Sequence, residues 1–213
     1  MVKRKIKPAP CEIREAASIL IYTKVSIGDV TGLKLSNYQR VIIVGNNGSG
    51  KSFLAKEWAA ITGLPLVHLD VEYWRPNWQK PPQDEWLQKL GELTARKQWI
   101  MDGNHTDTME LRYQAADCVV FLDINRWVCL YSVWSRNGKK RTDTTQYGGE
   151  KWDKSFIRFC KGLWRFPQTR KPVILNLHKT HPHKPFIVIS SRWKMSMLLD
   201  QLRAEQAKPS PSA

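Results

Sequence analysis

The sequence predicts an α/β fold: a parallel β-sheet with helices covering both faces. Three observations carry that expectation. Short β-branched runs alternate with helical patterns along most of the chain. The first such run, Val41–Val44, breaks into a glycine-rich loop, and later runs end at aspartates. Strands buried on both faces read as continuous apolar runs, and alternation with helices implies parallel pairing. In such sheets ligands gather at the carboxyl ends of the strands, where this chain places its glycines and carboxylates.

Residues 1–39 read as an N-terminal appendage with a basic head (Lys3, Arg4, Lys5 and Lys7), followed by Pro8 and Pro10. The next apolar stretch is short and follows Glu12, Arg14 and Glu15, unlike a secretory signal. "VIIV" is a buried strand cut off by glycine. Ser52–Ile61 has a helical pattern stopped by Gly63 and Pro65. "PLVHLD" reads as a second strand ending at Asp70, and "YWRPNWQKPP" as an irregular loop. Asp84 is the expected cap of a helix running to about Ala95. "QWIMD" is a third strand ending at Asp102, and "DCVVFLD" a fourth ending at Asp123. A helix follows over Arg126–Arg136. "PFIVIS" is a fifth strand, and Arg192–Arg203 a last helix. The tail 205–213 has the composition of a disordered segment. The bulk, 40–204, is one domain.

With 34 Lys and Arg against 19 Asp and Glu, the net charge is +15. Such a balance points to polyanionic partners: nucleotides, nucleic acid or an anionic surface. No apolar run has the length of a membrane span. The four cysteines (Cys11, Cys118, Cys129 and Cys160) form no CxxC pair, which fits a reducing cytoplasm and neither a disulfide framework nor a zinc site. Residues 137–171 carry ten Lys and Arg against three acids, interleaved with Trp152, Phe156, Phe159, Trp164 and Phe166.

Gly45-Asn46-Asn47-Gly48-Ser49-Gly50-Lys51-Ser52 matches GxxxxGK[ST] in full, between a strand and a helix, which is the context this phosphate-binding loop requires. Glycines let consecutive backbone N–H groups curl around a phosphate, and the helix N-terminus adds partial positive charge. Lys51 is the expected partner of the β- and γ-phosphates of ATP, and Ser52 a ligand of Mg²⁺. A carboxylate at a neighbouring strand end would hold that Mg²⁺ through water. Asp102 and Asp123 both fit this pattern. Asp70 is placed to orient or deprotonate an acceptor hydroxyl. Trp74 and Trp78 could sandwich a ring, or plug a small core of their own. Arg136 and Arg141 are placed as lid arginines that neutralise charge during transfer. The same basic and aromatic mixture would also suit a nucleic-acid strand. His105 lies beside the Asp102 edge. His178, His181 and His183 cluster in an expected loop, and His68 reads as a core residue.

"LDVEYWRPNWQKPP", "WIMDGNH", "LRYQAADCVVFLDINRWVCLYSVWSR" and "RTDTTQYGGEKWD" together resemble the adenylate-kinase-related topology modulation protein (FlaR-like) family, over about residues 40–204. The resemblance implies a three-layer, nucleoside-monophosphate-kinase-like P-loop fold with a five-stranded parallel sheet. It implies an acceptor-binding insertion at 71–95 and a lid at 137–171. It places Met101–Asn104 where such kinases carry an Asp-Gly pair near magnesium and acceptor. That favours Asp102 over Asp123, and brings Gly103 and Asn104 to the acceptor. It also implies that Arg112 meets a phosphate, and that Arg141, Asp143 and Glu150 follow a lid pattern.

The expected function is therefore transfer of the γ-phosphate of Mg-ATP to a small acceptor, a nucleotide or nucleoside being first by analogy, in the cytoplasm. The alternative is a nucleic-acid-associated P-loop ATPase or ATP switch acting on DNA topology.

Overall fold

The computed structural model describes residues 33–76, 79–136 and 154–207. Trp78, Arg141, Asp143, Glu150, Cys11 and Trp152 lie outside these residues, as do most of the N-terminal appendage and the first half of the basic segment.

Five strands form one all-parallel sheet: β1 (Arg40–Gly45), β2 (Leu66–His68), β3 (Trp99–Asp102), β4 (Cys118–Leu122) and β5 (Phe186–Ile189). Their order is β2-β3-β1-β4-β5. The central strand is β1, and its pleat divides the core. Val41 and Ile43 face one side with Leu54, Trp58 and Leu198, while Ile42 and Val44 face the other with Leu90, Tyr113 and Ile174. Two apolar layers therefore enclose the sheet, and every residue of β3 and β4 is buried. This is why those strands read as unbroken apolar runs rather than alternating ones.

Helices α1 (Lys51–Thr62), α5 (Arg126–Arg136), α6 (Lys154–Thr169) and α8 (Arg192–Ala207) contribute to the first layer. Helices α3 (Gln83–Thr94), α4 (Met109–Ala115) and α7 (Lys171–Thr180) contribute to the second, which also takes Phe166 of α6. A short helix, α2 (Leu69–Tyr73), follows β2. Helix α1 stops where expected: Gly63 is left-handed (φ 73°) and donates its N–H to the Ala59 carbonyl at 2.8 Å.

Several local expectations shift. The second strand ends at His68, and Asp70 falls within α2. Pro82, not Asp84, precedes α3; Asp84 and Glu85 occupy its first turn, where carboxylates favour the helix dipole. Residues 33–38 pack into the domain: Leu35 is fully buried, and Glu205 of α8 accepts the Ser36 N–H at 2.8 Å. Residues 154–169, within the expected lid, form a helix whose Phe156, Leu163 and Phe166 are buried. Those apolar residues recur at helical spacing, so they belong to the core. Helix α7 was not anticipated. Pro172 in its first turn is suited to starting a helix. Its His178 is buried and stacks on Phe186 at 4.3 Å, which makes it a core residue and not part of a loop. Cys118 and Cys129 are buried. Among the described residues, no helix is long and apolar enough to cross a membrane.

Candidate active site

The glycine loop leaves the carboxyl end of β1, between the ends of β3 and β4. Gly45, Gly48 and Gly50 have φ of 149°, 78° and 99°, a region that side chains rarely adopt. The space around the loop is equally restrictive. A Cβ on Gly45 would lie 2.6 Å from the Leu122 carbonyl oxygen, and one on Gly48 2.4 Å from that of Cys129. The loop is thus pressed against the end of β4 and against α5.

Two asparagines lock it further. Asn104 grips both ends of one residue: its Oδ1 accepts the Gly45 N–H at 3.1 Å, and its Nδ2 donates to the Gly45 carbonyl at 2.8 Å. Asn46 is buried; its Nδ2 donates to Leu163 O of α6 at 3.0 Å, and its Oδ1 accepts the Asn47 N–H at 2.8 Å. Asn104 thus holds the loop from outside, and Asn46 ties it to α6. Asn46 was expected at the phosphates and Asn104 at the acceptor; the observed side-chain partners of both are backbone groups.

Lys51 is half-buried and donates to the Asn46 carbonyl at 2.9 Å. Burial lowers its pKa; the Asp70 and Asp102 carboxylates oppose that shift, and Arg136 adds to it. Lys51 thus feels the charges of Asp70, Asp102 and Arg136, which come from separate stretches of sequence.

Asp102 ends β3 and is 5% exposed. Its backbone is in register with Ile43 of β1 and His68 of β2. His68 Nδ1 lies 2.6 Å from Asp102 Oδ1. Asp123 instead takes an ion pair from Lys171 at the start of α7, at 2.7 Å, and so ties α7 to the end of β4.

The turn after β3 is strained. Gly103 has φ 133°, and His105 is left-handed at φ 30°. Such conformations persist only when their surroundings hold them. Arg112 does so here. It is fully buried; its Nη1 donates to Gly103 O at 3.1 Å, and its Nη2 donates to Asn104 O and to His105 O, the latter at 3.1 Å. Burial pulls its pKa down to about 10, with Asp70 opposing. The guanidinium that the family resemblance assigns to a phosphate here faces three consecutive carbonyls. His105 Nε2 in turn lies 3.0 Å from Asp70 Oδ1, and its ring packs on Tyr73 at 4.6 Å.

Trp74 meets Tyr73 edge-on at 5.0 Å. A recess of about 340 Å³ opens beside it between the loop and α3, lined by residues including Tyr73, Trp74 and Trp86. The Arg75–Glu85 and Lys89–Glu72 pairs balance charge on its wall. Asp70, Asp102 and the glycine loop do not line it; Tyr73 and Trp86 of its wall both pack on His105, the partner of Asp70.

A nucleoside triphosphate with Mg²⁺ suits these residues on two structural grounds. Three glycines let the loop backbone curl with positive φ while lying against β4, α5 and α8, and the buried Ser49 Oγ has no partner among the described residues. The first turn of α1 adds N–H groups without intrahelical partners. Mg²⁺ is commonly held by one or two protein oxygens together with phosphate oxygens, and Asp102 and Ser52 offer that number.

The helices beside the loop show a feature that the sequence did not reveal. Arg192, at the start of α8, donates to Ser132 Oγ of α5, bridging the two helices that pack on Gly48 and Gly50. Two exposed aromatics flank this bridge: Tyr131 on α5 and Trp193 on α8, 73% and 68% exposed.

No family model matches the chain, and no curated protein matches it in sequence. Solved structures do. Shikimate kinase from Acinetobacter baumannii in complex with shikimate superposes with a TM-score of 0.50 at 14% identity, covering 81% of this chain and 97% of the other. Shikimate kinase from Bacteroides thetaiotaomicron gives 0.47 at 16% identity, over 78% and 97% of the two chains. A gluconokinase from Sinorhizobium meliloti 1021 gives 0.42 at 15%, over 79% and 91%. At such identities a likeness speaks for fold alone. Together with the 2-3-1-4-5 parallel sheet and the loop after β1, the likeness to the Acinetobacter enzyme shows that this chain has the P-loop fold that shikimate kinase shares.

Proposed function

We propose that the protein is a phosphotransferase that moves the γ-phosphate of Mg-ATP to a small acceptor. The observation that carries this reading is a complete phosphate loop after β1 with the Asp102 carboxylate at the end of the adjacent β3 and Asp70 just beyond the end of β2; both carboxylates act on the Lys51 charge. A site that only bound nucleotide would need the loop and Lys51. A second carboxylate at the same edge of the sheet, Asp70, can serve an acceptor hydroxyl.

In this reading the backbone of Gly45–Ser52 holds the triphosphate. Lys51 leaves the Asn46 carbonyl for the β- and γ-phosphates, whose negative charge offsets the desolvation that depresses its pKa. Ser52 and Asp102 hold Mg²⁺, which supplies neutralisation of charge on the phosphate oxygens. The acceptor lies between Asp70, the Trp74 and Trp78 loop, and the Gly103–His105 edge. Asp70 takes the hydroxyl proton as the acceptor oxygen bonds to Pγ and the bond from Pγ to the bridging oxygen of ADP breaks. Arg136 and Arg141 neutralise the developing charge. Arg112 acts through the loop it holds and not on a phosphate.

The Acinetobacter neighbour is a kinase by name, and that agrees with this reading without naming the acceptor. Titration with Mg-ATP tests the donor half: wild type binds and Lys51→Ala does not. A screen of ATP against nucleotides, nucleosides and small polyols, with Lys51→Ala as the blank, tests transfer. The absence of ADP and phosphorylated product with every acceptor would leave a binding module.

One observation favours a second reading, a nucleic-acid-associated ATP switch. Residues 124–199 hold 16 Lys and Arg against three Asp and Glu, so most of the chain's net charge is in this part. A salt series with duplex and single-stranded DNA separates the readings. A small-molecule kinase shows weak binding that collapses between about 50 and 200 mM salt. A switch retains binding at physiological salt and responds to ATP.

A further inference from the structure

His68 belongs to no sequence motif of the phosphate site, and its place in a strand reads as core. In the folded chain it is half-buried and stands at the last position of β2, in register with Asp102 at the last position of β3. Neighbours in register on parallel strands project to the same face of the sheet. The two side chains meet at 2.6 Å, Nδ1 to Oδ1. Asp102 is almost wholly enclosed, and among the described residues His68 is its one side-chain hydrogen-bond partner. A carboxylate held at one oxygen keeps the other free to face a ligand. A carboxylate without that bond can rotate about its last side-chain torsion, which is broad for Asp.

We propose that His68 is a positioning residue for the magnesium arm of the site. It fixes the Asp102 carboxylate so that Oδ2 is presented toward the metal and phosphates. The inference rests on the Mg-ATP reading above. Such outer partners orient metal-binding side chains, and their loss typically weakens metal binding by roughly 10- to 100-fold. The alternative is that His68 simply fills space and satisfies a buried carboxylate. That role would affect stability without distinguishing magnesium-bound from magnesium-free nucleotide.

The test uses the full-length protein and calorimetric titration with two probes, ATP with Mg²⁺ and ATP with EDTA. Wild type binds the first more tightly, and the ratio of the two affinities measures the magnesium arm. His68→Ala is expected to reduce that ratio by roughly 10- to 100-fold, leaving ATP with EDTA within about twofold. His68→Asn retains an N–H donor near the Nδ1 position and is expected to restore most of the ratio. Asp102→Asn sets the floor, and His68→Ala added to it should lower the ratio no further, because coupled residues are non-additive. The proposal is overturned if His68→Ala leaves the ratio unchanged, if it weakens both probes equally, or if His68→Asn behaves like alanine. Wild type that fails to bind either probe overturns the phosphotransferase reading itself, and the role of His68 with it. Wild type that binds both probes equally removes only the magnesium arm.

Discussion

Replacing Gly48 with alanine separates two reasons for a glycine in the phosphate loop. Gly48 has φ +78°, and a Cβ there would lie 2.4 Å from the Cys129 carbonyl oxygen and 2.9 Å from Val133 Cγ2. The first neighbour is the backbone of α5, which cannot swing aside as a flexible side chain would. A left-handed backbone costs a non-glycine residue about 1–2 kcal/mol. Forcing extra volume into a packed site adds about 1–3 kcal/mol. Gly48→Ala should therefore lose about 2–5 kcal/mol. At roughly 2–4 °C per kcal/mol for a chain of this size, the melting temperature falls by roughly 4–20 °C. Gly63 supplies the control, with a similar φ of +73° and nothing within 4 Å of its Cβ position. Gly63→Ala carries the backbone cost alone, about 1–2 kcal/mol. Urea and thermal unfolding followed by circular dichroism, with the two variants beside wild type, measure the difference. Equal losses in the two variants would refute the steric account, and with it the inference that α5 fixes the loop's shape.

Asn104→Ala removes both clamps on Gly45 and leaves a buried N–H and C=O without those partners; a loss of about 2–4 kcal/mol is expected, together with weaker ATP binding by titration. Arg112→Lys keeps a positive charge but loses the planar fork that reaches three carbonyls. It should destabilise the fold by about 2–4 kcal/mol in urea unfolding, and it should do so equally at high and low phosphate, since no anion is involved. Burial lowers the pKa of His178, whose Nδ1 faces the Tyr113 hydroxyl at 3.4 Å. The unfolded chain therefore binds the proton more readily, so the stabilisation is complete above the unfolded value of about 6.5 and is lost as pH falls through the folded value. Melting curves at pH 7.5 and 5.5 should show a smaller acid-induced loss for His178→Gln than for wild type.

Much of the fold was legible because its signals are local. Each strand is a short apolar run bounded by a turn former, and α1 is bounded by the glycine motif at one end and Gly63 at the other. Helix α5 runs over the residues its pattern indicated. The misreadings arose where one composition served two roles. The aromatics of 154–169 suit part of a lid or a nucleic-acid surface by composition, and two of them, Phe156 and Phe166, are buried in the core. The histidines near 180 resembled a loop cluster, but α7 buries His178 against Phe186.

The site divides in the same way. The order of residues alone determined that a phosphate loop lies between a strand and a helix, because its chemistry depends on eight consecutive residues and their backbone. It also marked Asp102 as a strand-end carboxylate, whereas Asp70, expected at the end of the second strand, falls in α2. Tertiary structure alone decided which of these groups meet. Strand order sets β3 beside β1, so Asp102 stands in register with Ile43 just before the phosphate loop, while the start of α7 meets the end of β4 and pairs Asp123 with Lys171. Register decided that His68 holds Asp102, and burial turned Arg112 toward three carbonyls. Pairing between strands and helices far apart in the chain depends on how the whole sheet is assembled, and no local stretch of sequence carries that information.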